Sequence, residues 1–193
     1  SLGPLVSGTR VGARPPRPVW PLHGPHTLAN VVAASVVLGV SVGDGAADVA
    51  LVACLLLVVS HAAFKATLFL GAGAVLHATG LRDLDQLGGL GVRMPWTAAA
   101  FGVAALGAAA LPLTSGFVAE WTLLQSLVHG VQPGDRLVAV ATPAAVSVIA
   151  LTAGLALLTF AKAFGIGFLA RPRSDAAGAA REVPWSMRAA MVA

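Results

Sequence analysis

His61 and Lys65 stand four residues apart inside residues 49–79, a run dominated by Leu, Val and Ala. On an α-helix that spacing puts both side chains on one face. An imidazole changes charge near neutrality, and an amine withdrawn from water gives up its proton more readily than one in water. Together they make a proton-handling pair. The other reading is structural: a lysine held by a carboxylate or carbonyl groups of a neighbouring helix, with His61 hydrogen-bonded in the packing. Depth favours chemistry. A bilayer core of about 30 Å is crossed by about 20 apolar residues in helix, so this run spans with length to spare. Lys65 lies near its middle, too deep for its stem to reach the headgroups easily. A charge there costs about 2.5–3.5 kcal/mol on insertion scales and is by default a functional group.

Two further ionisable residues lie in apolar surroundings. Glu120 belongs to a segment that reads as an Ala-rich helix over 97–111, a break at Pro112, Thr114, Ser115 and Gly116, and a second helix over 117–129. Non-helical backbone at membrane depth survives only when buried in protein or lining a water-filled cavity. The start of a half-helix favours a carboxylate, and the pattern places Glu120 in that first turn. Glu120 is thus a candidate partner for Lys65 or Lys162, or else a simple capping carboxylate. Lys162 is the deep cation of the run 137–170, where Pro143 is expected to kink the helix or mark its first turn.

These residues need membrane-spanning elements to hold them, and the composition supplies them. The chain is 57% hydrophobic and 10% charged, with a mean hydropathy of +0.84, which excludes an ordinary soluble domain. The net charge of +4 comes mostly from arginines near the two ends, so it speaks of topology and not of nucleic acid. The one cysteine, Cys54, allows no intrachain disulfide or cysteine metal site and reads as a small buried hydrophobe.

The expected organisation is an irregular basic tail over 1–25, a transmembrane domain over 26–170, and a polar loop with the start of a further span over 171–193. Within the domain come a first apolar run at 28–42 and an acidic turn with Gly43, Asp44, Gly45 and Asp48. The central run follows, then a glycine-rich connection over 81–95 that ends at an interfacial Trp96. Taking 97–129 as one discontinuous span gives an all-α polytopic bundle of about four spans. Both arginine-rich ends then fall on one side, the cytoplasmic one. A hairpin over 97–129 would give five spans and put one basic end outside. With neither an initiator methionine nor a signal peptide, the chain reads as part of a longer membrane protein.

Several motifs in this order carry a resemblance. The segment SHAAFKATLFLGAGAVLHATGLRDLDQLGGLGVRMPW resembles the signature of the proton-translocating, antiporter-like membrane subunits. That family links respiratory complex I, multisubunit sodium/proton antiporters and membrane-bound hydrogenases. LPLTSGFVAEWTLLQSL resembles the family's discontinuous helix. LLTFAKAFGIGFLARPRS and EVPWSM are most similar to the branch of hydrogenase-4 component B and formate hydrogenlyase subunit 3. The resemblance implies that Lys65 is the central lysine of a proton relay, with His61 on the same helix. It implies that Glu120 is the charged residue of the broken helix near the exit path, and that Lys162 is a lysine typical of that branch. Two positions depart from the family pattern: Ala29 stands where a carboxylate often accompanies a histidine, and Leu57 where a second histidine often precedes His61.

The function so implied is proton translocation across a bacterial cytoplasmic membrane by a multi-pass subunit of a redox-driven complex. Its partners are the lipid bilayer, other membrane and peripheral subunits, and protons, with sodium as the alternative ion; nucleic acid is not among them. No flavin, iron–sulfur, nickel or quinone-reducing motif is visible, so no cofactor is expected in this chain and redox chemistry is expected of its partners. The rivals are a subunit of a stand-alone cation/proton antiporter and a truncated, inactive product.

The topology has a direct test. Cysteines introduced at Ser7 and Ser174 should be labelled by an impermeant thiol reagent from the same side of the membrane, the cytoplasmic one. Labelling from opposite sides would rule out the four-span arrangement.

Overall fold

The computed structural model describes residues 45–129 and 136–192, and every regular element among them is helical. The long helix α1, Gly45–Thr79, has 35 residues and so measures about 52 Å. It begins earlier than the apolar run, because Gly45 to Asp48 form its first turn instead of a separate acidic turn. Asp48 is favourable there, beside the unpaired N–H groups of the helix start. After a connection with a 3₁₀ turn at Leu84–Gln86 come α2, Leu90–Arg93, and α3, Pro95–Ala108. Helix α4, Ser115–His129, follows, and then α5, Arg136–Phe164, which ends in a π-helical turn at Gly165–Leu169. Two short helices, α6 (Asp175–Ala179) and α7 (Trp185–Ala190), give the expected polar loop more order than its composition suggests. The tail 1–25 and the first apolar run at 28–42 lie outside the described residues.

Helices α1 and α5 are each long and apolar enough to cross a membrane. Helix α3 has 14 residues and α4 has 15, about 21 and 22 Å, each short of a bilayer core of about 30 Å. They work as one span. Near one end of α1, Ala74 and Val75 share a buried cluster with Ala98 and Phe101 of α3. In the middle, Phe64 meets Gly107 and Gly116. Toward the other end, Ala53 shares a cluster with Leu123 and Leu127 of α4 and Ile149 of α5. The levels run 75, 64, 53 on α1 against 98, 107–116, 127 on the other strand of the packing. Helix α3, the break and α4 therefore run antiparallel to α1 along its length, which is the geometry of a discontinuous span and not of a hairpin.

The break closes its own hydrogen bonds. Leu111 N–H donates to the Leu106 carbonyl and Ala110 N–H to that of Gly107, both at 3.1 Å, while Ala110 has φ 51°. This is a Schellman ending with alanine in the left-handed position that glycine usually fills. Leu113 is also left-handed, at φ 74°, and each such residue stores about 1–2 kcal/mol. Helix α4 then starts on Thr114, whose hydroxyl accepts from Phe117 N–H at 3.3 Å and donates to the Leu111 carbonyl at 2.7 Å. Two glycines make room for the seat against α1. A Cβ on Gly107 would collide with the Phe64 ring, and one on Gly116 would collide with the Gly107 carbonyl and lie 3.3 Å from that ring.

Helix α3 starts without a cap of its own. Its N-cap residue is Met94, which offers no side-chain acceptor, so the first N–H groups need a partner from elsewhere. The Glu182 carboxylate supplies it: Oε2 accepts from Trp96 N–H at 2.8 Å and Thr97 N–H at 3.4 Å. Its Oε1 accepts from the Thr97 hydroxyl at 2.6 Å and from Val183 N–H at 3.2 Å. Further along α3, Phe101 packs on Gly71 of α1, and Gly102 faces the Phe164 ring of α5. The rings of Phe101 and Phe164 each stand 5.2 Å from that of Phe168. Pro143 falls eight residues into α5, which continues through it, so it does not mark the first turn. Helix α7 closes on α1, where the Thr67 hydroxyl is 3.2 Å from the Met191 carbonyl.

The glycine seat separates two outcomes. Gly107→Ala should destabilise the full-length protein by about 1–3 kcal/mol through overpacking against Phe64, and Phe64→Leu in the same chain should recover most of that loss. Gly116→Ala should cost at least as much and not be recovered, since its Cβ meets backbone that cannot yield. Thermal unfolding in detergent reads both. Rescue of Gly116→Ala by Phe64→Leu would show that the two helices do not meet as described.

Candidate functional site

The candidate site lies on α1 opposite the break. Lys65 directly follows Phe64, the residue whose ring fills the space between Gly107 and Gly116. Its side chain is half-buried, as is that of His61 one turn earlier, while Ser60, just before His61, is buried. The long helix thus brings the two together on one face, as the spacing predicts. Both lie many residues from either end of α1, at the level where the neighbouring span is interrupted.

Glu120 is placed differently from the expectation. Helix α4 begins at Ser115, not at 117, because Thr114 and not a carboxylate caps it. Glu120 is its sixth residue, in the second turn, beyond the reach of the strongest end-of-helix field, which falls off within the first turn. It lies one turn past Gly116 on the side of α4 that carries Gly116, Leu123 and Leu127, and it is half-buried. With Gly116 beside Phe64 and Leu123 and Leu127 clustered with Ala53, the register sets Glu120 level with Ser60 and His61 and not with Lys65.

Lys162 stands apart. It is exposed on α5, while its neighbour Ala163 is buried and Phe164 faces Gly102. Helix α5 turns most of its apolar surface outward: 6% of its most apolar stretch is buried, against 28% for α1. The structure therefore brings His61, Lys65 and Glu120 into one neighbourhood and leaves Lys162 on a different surface. Among the described residues no salt bridge within 4.0 Å joins Glu120 to either lysine. Nor does any group of three or more His, Cys, Asp and Glu side chains come together there to hold a metal ion.

Gly116 was legible only as part of the break, and Phe64, Gly107 and Glu182 were not singled out by their sequence context. A hint existed for Glu182: MPWT opens a helix with methionine at the cap, so its N–H groups required an outside acceptor. Which residue would fold back over 85 positions to supply it was not written in any spacing.

Comparison with known proteins places the chain among its relatives. Residues 33–142 match the family described as NADH:quinone oxidoreductase/Mrp antiporter, transmembrane. An uncharacterized protein of Mycobacterium tuberculosis is 60% identical over 147 residues, covering 76% of this chain and 23% of the relative. Hydrogenase-4 component B of Escherichia coli is 41% identical over 144 residues, 75% of this chain and 21% of the relative. Formate hydrogenlyase subunit 3 of Escherichia coli is 36% identical over 174 residues, 87% of this chain and 29% of the relative. The chain spans less than a third of the length of each.

That Glu120 meets no cation within 4.0 Å among the described residues has a measurable consequence. Breaking a buried ion pair costs about 3–5 kcal/mol, whereas neutralising an unpaired, partly buried carboxylate is neutral or stabilising. Glu120→Gln in the full-length protein should therefore change its thermal stability by less than about 1 kcal/mol, or raise it. A loss of about 3 kcal/mol or more would reveal a fixed ionic partner.

Proposed function

The chain belongs to the NADH:quinone oxidoreductase/Mrp antiporter transmembrane family, and from that premise we propose that it moves protons through the membrane as part of an antiporter-like subunit of a redox-driven complex. It is a membrane protein of a family whose members are proton-translocating, antiporter-like subunits of complex I-type assemblies and Mrp antiporters. The observation that carries the reading is the position of Lys65. It sits half-buried near the middle of a 35-residue helix, next in sequence to the aromatic ring seated in the break of the adjacent span. A charge is costly at that depth, and interrupted backbone there belongs beside protein or water.

In this proposal a proton resides on Lys65, passes along the helix face to His61, and reaches the carboxylate of Glu120, level with His61 on α4. Imidazole suits the middle station because it can accept at one nitrogen and release from the other. Glu120 suits the last because no described cation fixes its charge. Lys162, exposed on α5, acts where that helix meets the remainder of the protein or a partner subunit. The domain is 26–170, flanked by the tail 1–25 and by 171–193, which leads into a further span. The protein lies in the bacterial cytoplasmic membrane, and electron transfer belongs to partner subunits of a complex of the hydrogenase-4 or formate hydrogenlyase type, or of the NADH:quinone oxidoreductase type. A second reading, a subunit of a cation/proton antiporter without redox partners, is favoured by the half of the family description that names the Mrp antiporters. Under it, sodium would be exchanged for protons with no electron donor present.

Replacing Lys65 in the full-length protein within its complex decides the relay. Lys65→Ala should abolish or strongly reduce proton uptake by membrane vesicles at matched assembly, with electron transfer falling less. Lys65→Arg should not restore uptake, because a guanidinium keeps its proton under any relevant condition. Normal uptake by Lys65→Met would leave Lys65 as a packing residue and end this reading.

A further inference from the structure

We propose that Glu182 is a positioning residue: a carboxylate from the loop after α5 that holds α3 at the depth and angle at which the break seats against Phe64, beside Lys65. The inference rests on the proton-path reading for what the positioning serves, though not for the positioning itself.

Four donors converge on this one side chain. Trp96 N–H and Thr97 N–H reach Oε2 at 2.8 and 3.4 Å, and the Thr97 hydroxyl and Val183 N–H reach Oε1 at 2.6 and 3.2 Å. Thr97 is fully buried, and Val183, next to Glu182, is buried in the cluster that holds Met94, Ala98 and Phe101. The carboxylate is thus built into the core on one side and into the helix start on the other. Met94, the cap residue of α3, makes no side-chain cap bond of its own. Ionised carboxylates bind backbone N–H groups more strongly than neutral acceptors do, and at a helix start the dipole adds to the attraction.

What distinguishes this from an ordinary cap is what lies at the far end of α3. The helix is a single rod of 14 residues, Pro95–Ala108. Its last turn carries Gly107, whose bare Cα is what lets the Phe64 ring lie in the break. Between the two ends α3 is gripped by close contacts, Phe101 on Gly71 and Gly102 under Phe164. A shift at the start is therefore carried to the break, where the space around Phe64 has no slack. Glu182 stands between α6 and α7, in the connection that leads from α5, which bears Lys162, to α7, whose following Met191 carbonyl meets the Thr67 hydroxyl of α1. The carboxylate consequently links that connection to the broken span.

Hydrogen exchange on the full-length protein within its complex, in lipid nanodiscs, tests the positioning without reference to pumping. Glu182→Ala should speed exchange of the Trp96 and Thr97 amides by tenfold or more. It should also speed exchange across the break, residues 109–118, by several-fold; Glu182→Gln, which keeps one acceptor oxygen, should give smaller changes at both places. Acceleration confined to residues 96–99 would reduce Glu182 to a local cap and overturn the proposal. Should Glu182→Ala fail to assemble, Glu182→Gln alone decides by the same criterion. The ratio of protons moved to electrons transferred, at matched assembly, supplies the second readout. It should fall at least threefold in Glu182→Ala, with at least half retained by Glu182→Gln, and an unchanged ratio would also overturn the proposal. Normal pumping by Lys65→Met would sink the proton path through α1 whatever the exchange pattern shows, so the two failures are told apart.

Discussion

An interrupted helix inside a membrane must satisfy its own backbone, because no solvent is there to do so. The rest of this structure follows from that constraint. Helix α3 ends on a Schellman pair of hydrogen bonds, and α4 begins on a threonine hydroxyl that serves both sides of the gap. Neither half is long enough to cross alone, so both need a continuous helix to lie against. That explains the length of α1. Close approach at the gap requires glycine at 107 and 116, and the space between them is filled by the aromatic ring of Phe64. The ionisable pair on α1 inherits its place from this seat, since Lys65 is the next residue and His61 is one turn away.

On the proposed reading, the charges are arranged for exchange more than for stability. A buried ion pair with fixed geometry holds its proton, and breaking it is costly. Here Lys65, His61 and Glu120 share a region without a salt bridge among the described residues. By contrast, among the described residues the carboxylate with the most hydrogen-bond donors is Glu182, at the start of α3 and away from the break. The anchored carboxylate thus stands at the start of α3, and the one that meets no cation among the described residues stands beside the break.

Much of the architecture was legible in the sequence. Hydropathy marked the central helix, and the four-residue spacing of His61 and Lys65 put both on one of its faces, because a 3.6-residue period and a long apolar run leave few other solutions. Proline, threonine and glycine over 112–116 marked the break, and the side-by-side course of both half-helices along α1 agrees with a single discontinuous span. The first turn of α4 was misread, since Thr114 caps the helix and moves Glu120 into the second turn. Lys162 was grouped with the others by composition alone; its exposure depends on the rotation of α5, which an apolar helix with little amphipathic contrast does not announce. The Glu182 cap was invisible because it depends on contacts between residues 85 positions apart. The ring of Phe64 was hidden for a different reason. Phenylalanine in an apolar run is unremarkable until the two glycines that receive it are known to face it.

The break also divides the packing. On one side α3 belongs to a cluster with Ala74, Val75, Leu90, Met94, Phe101 and Phe168. On the other, α4 belongs to a second cluster with Ala53, Leu123, Leu127 and Ile149. Tightly packed cores resist displacement, because even one methylene out of place is felt. A seam between two such cores is different: each can keep its own contacts while the boundary adjusts. His61, Lys65 and Glu120 lie along that seam, beside two left-handed residues, Ala110 and Leu113, that favour interruption over a continuous helix. A proton path of the kind proposed would use this combination, with rigid bodies on both sides to fix distances and a discontinuity between them that allows side chains and water to rearrange. Had α3 and α4 been one helix, the same ionisable groups would face a continuous apolar wall, and the cost of burying them would bring no path in return.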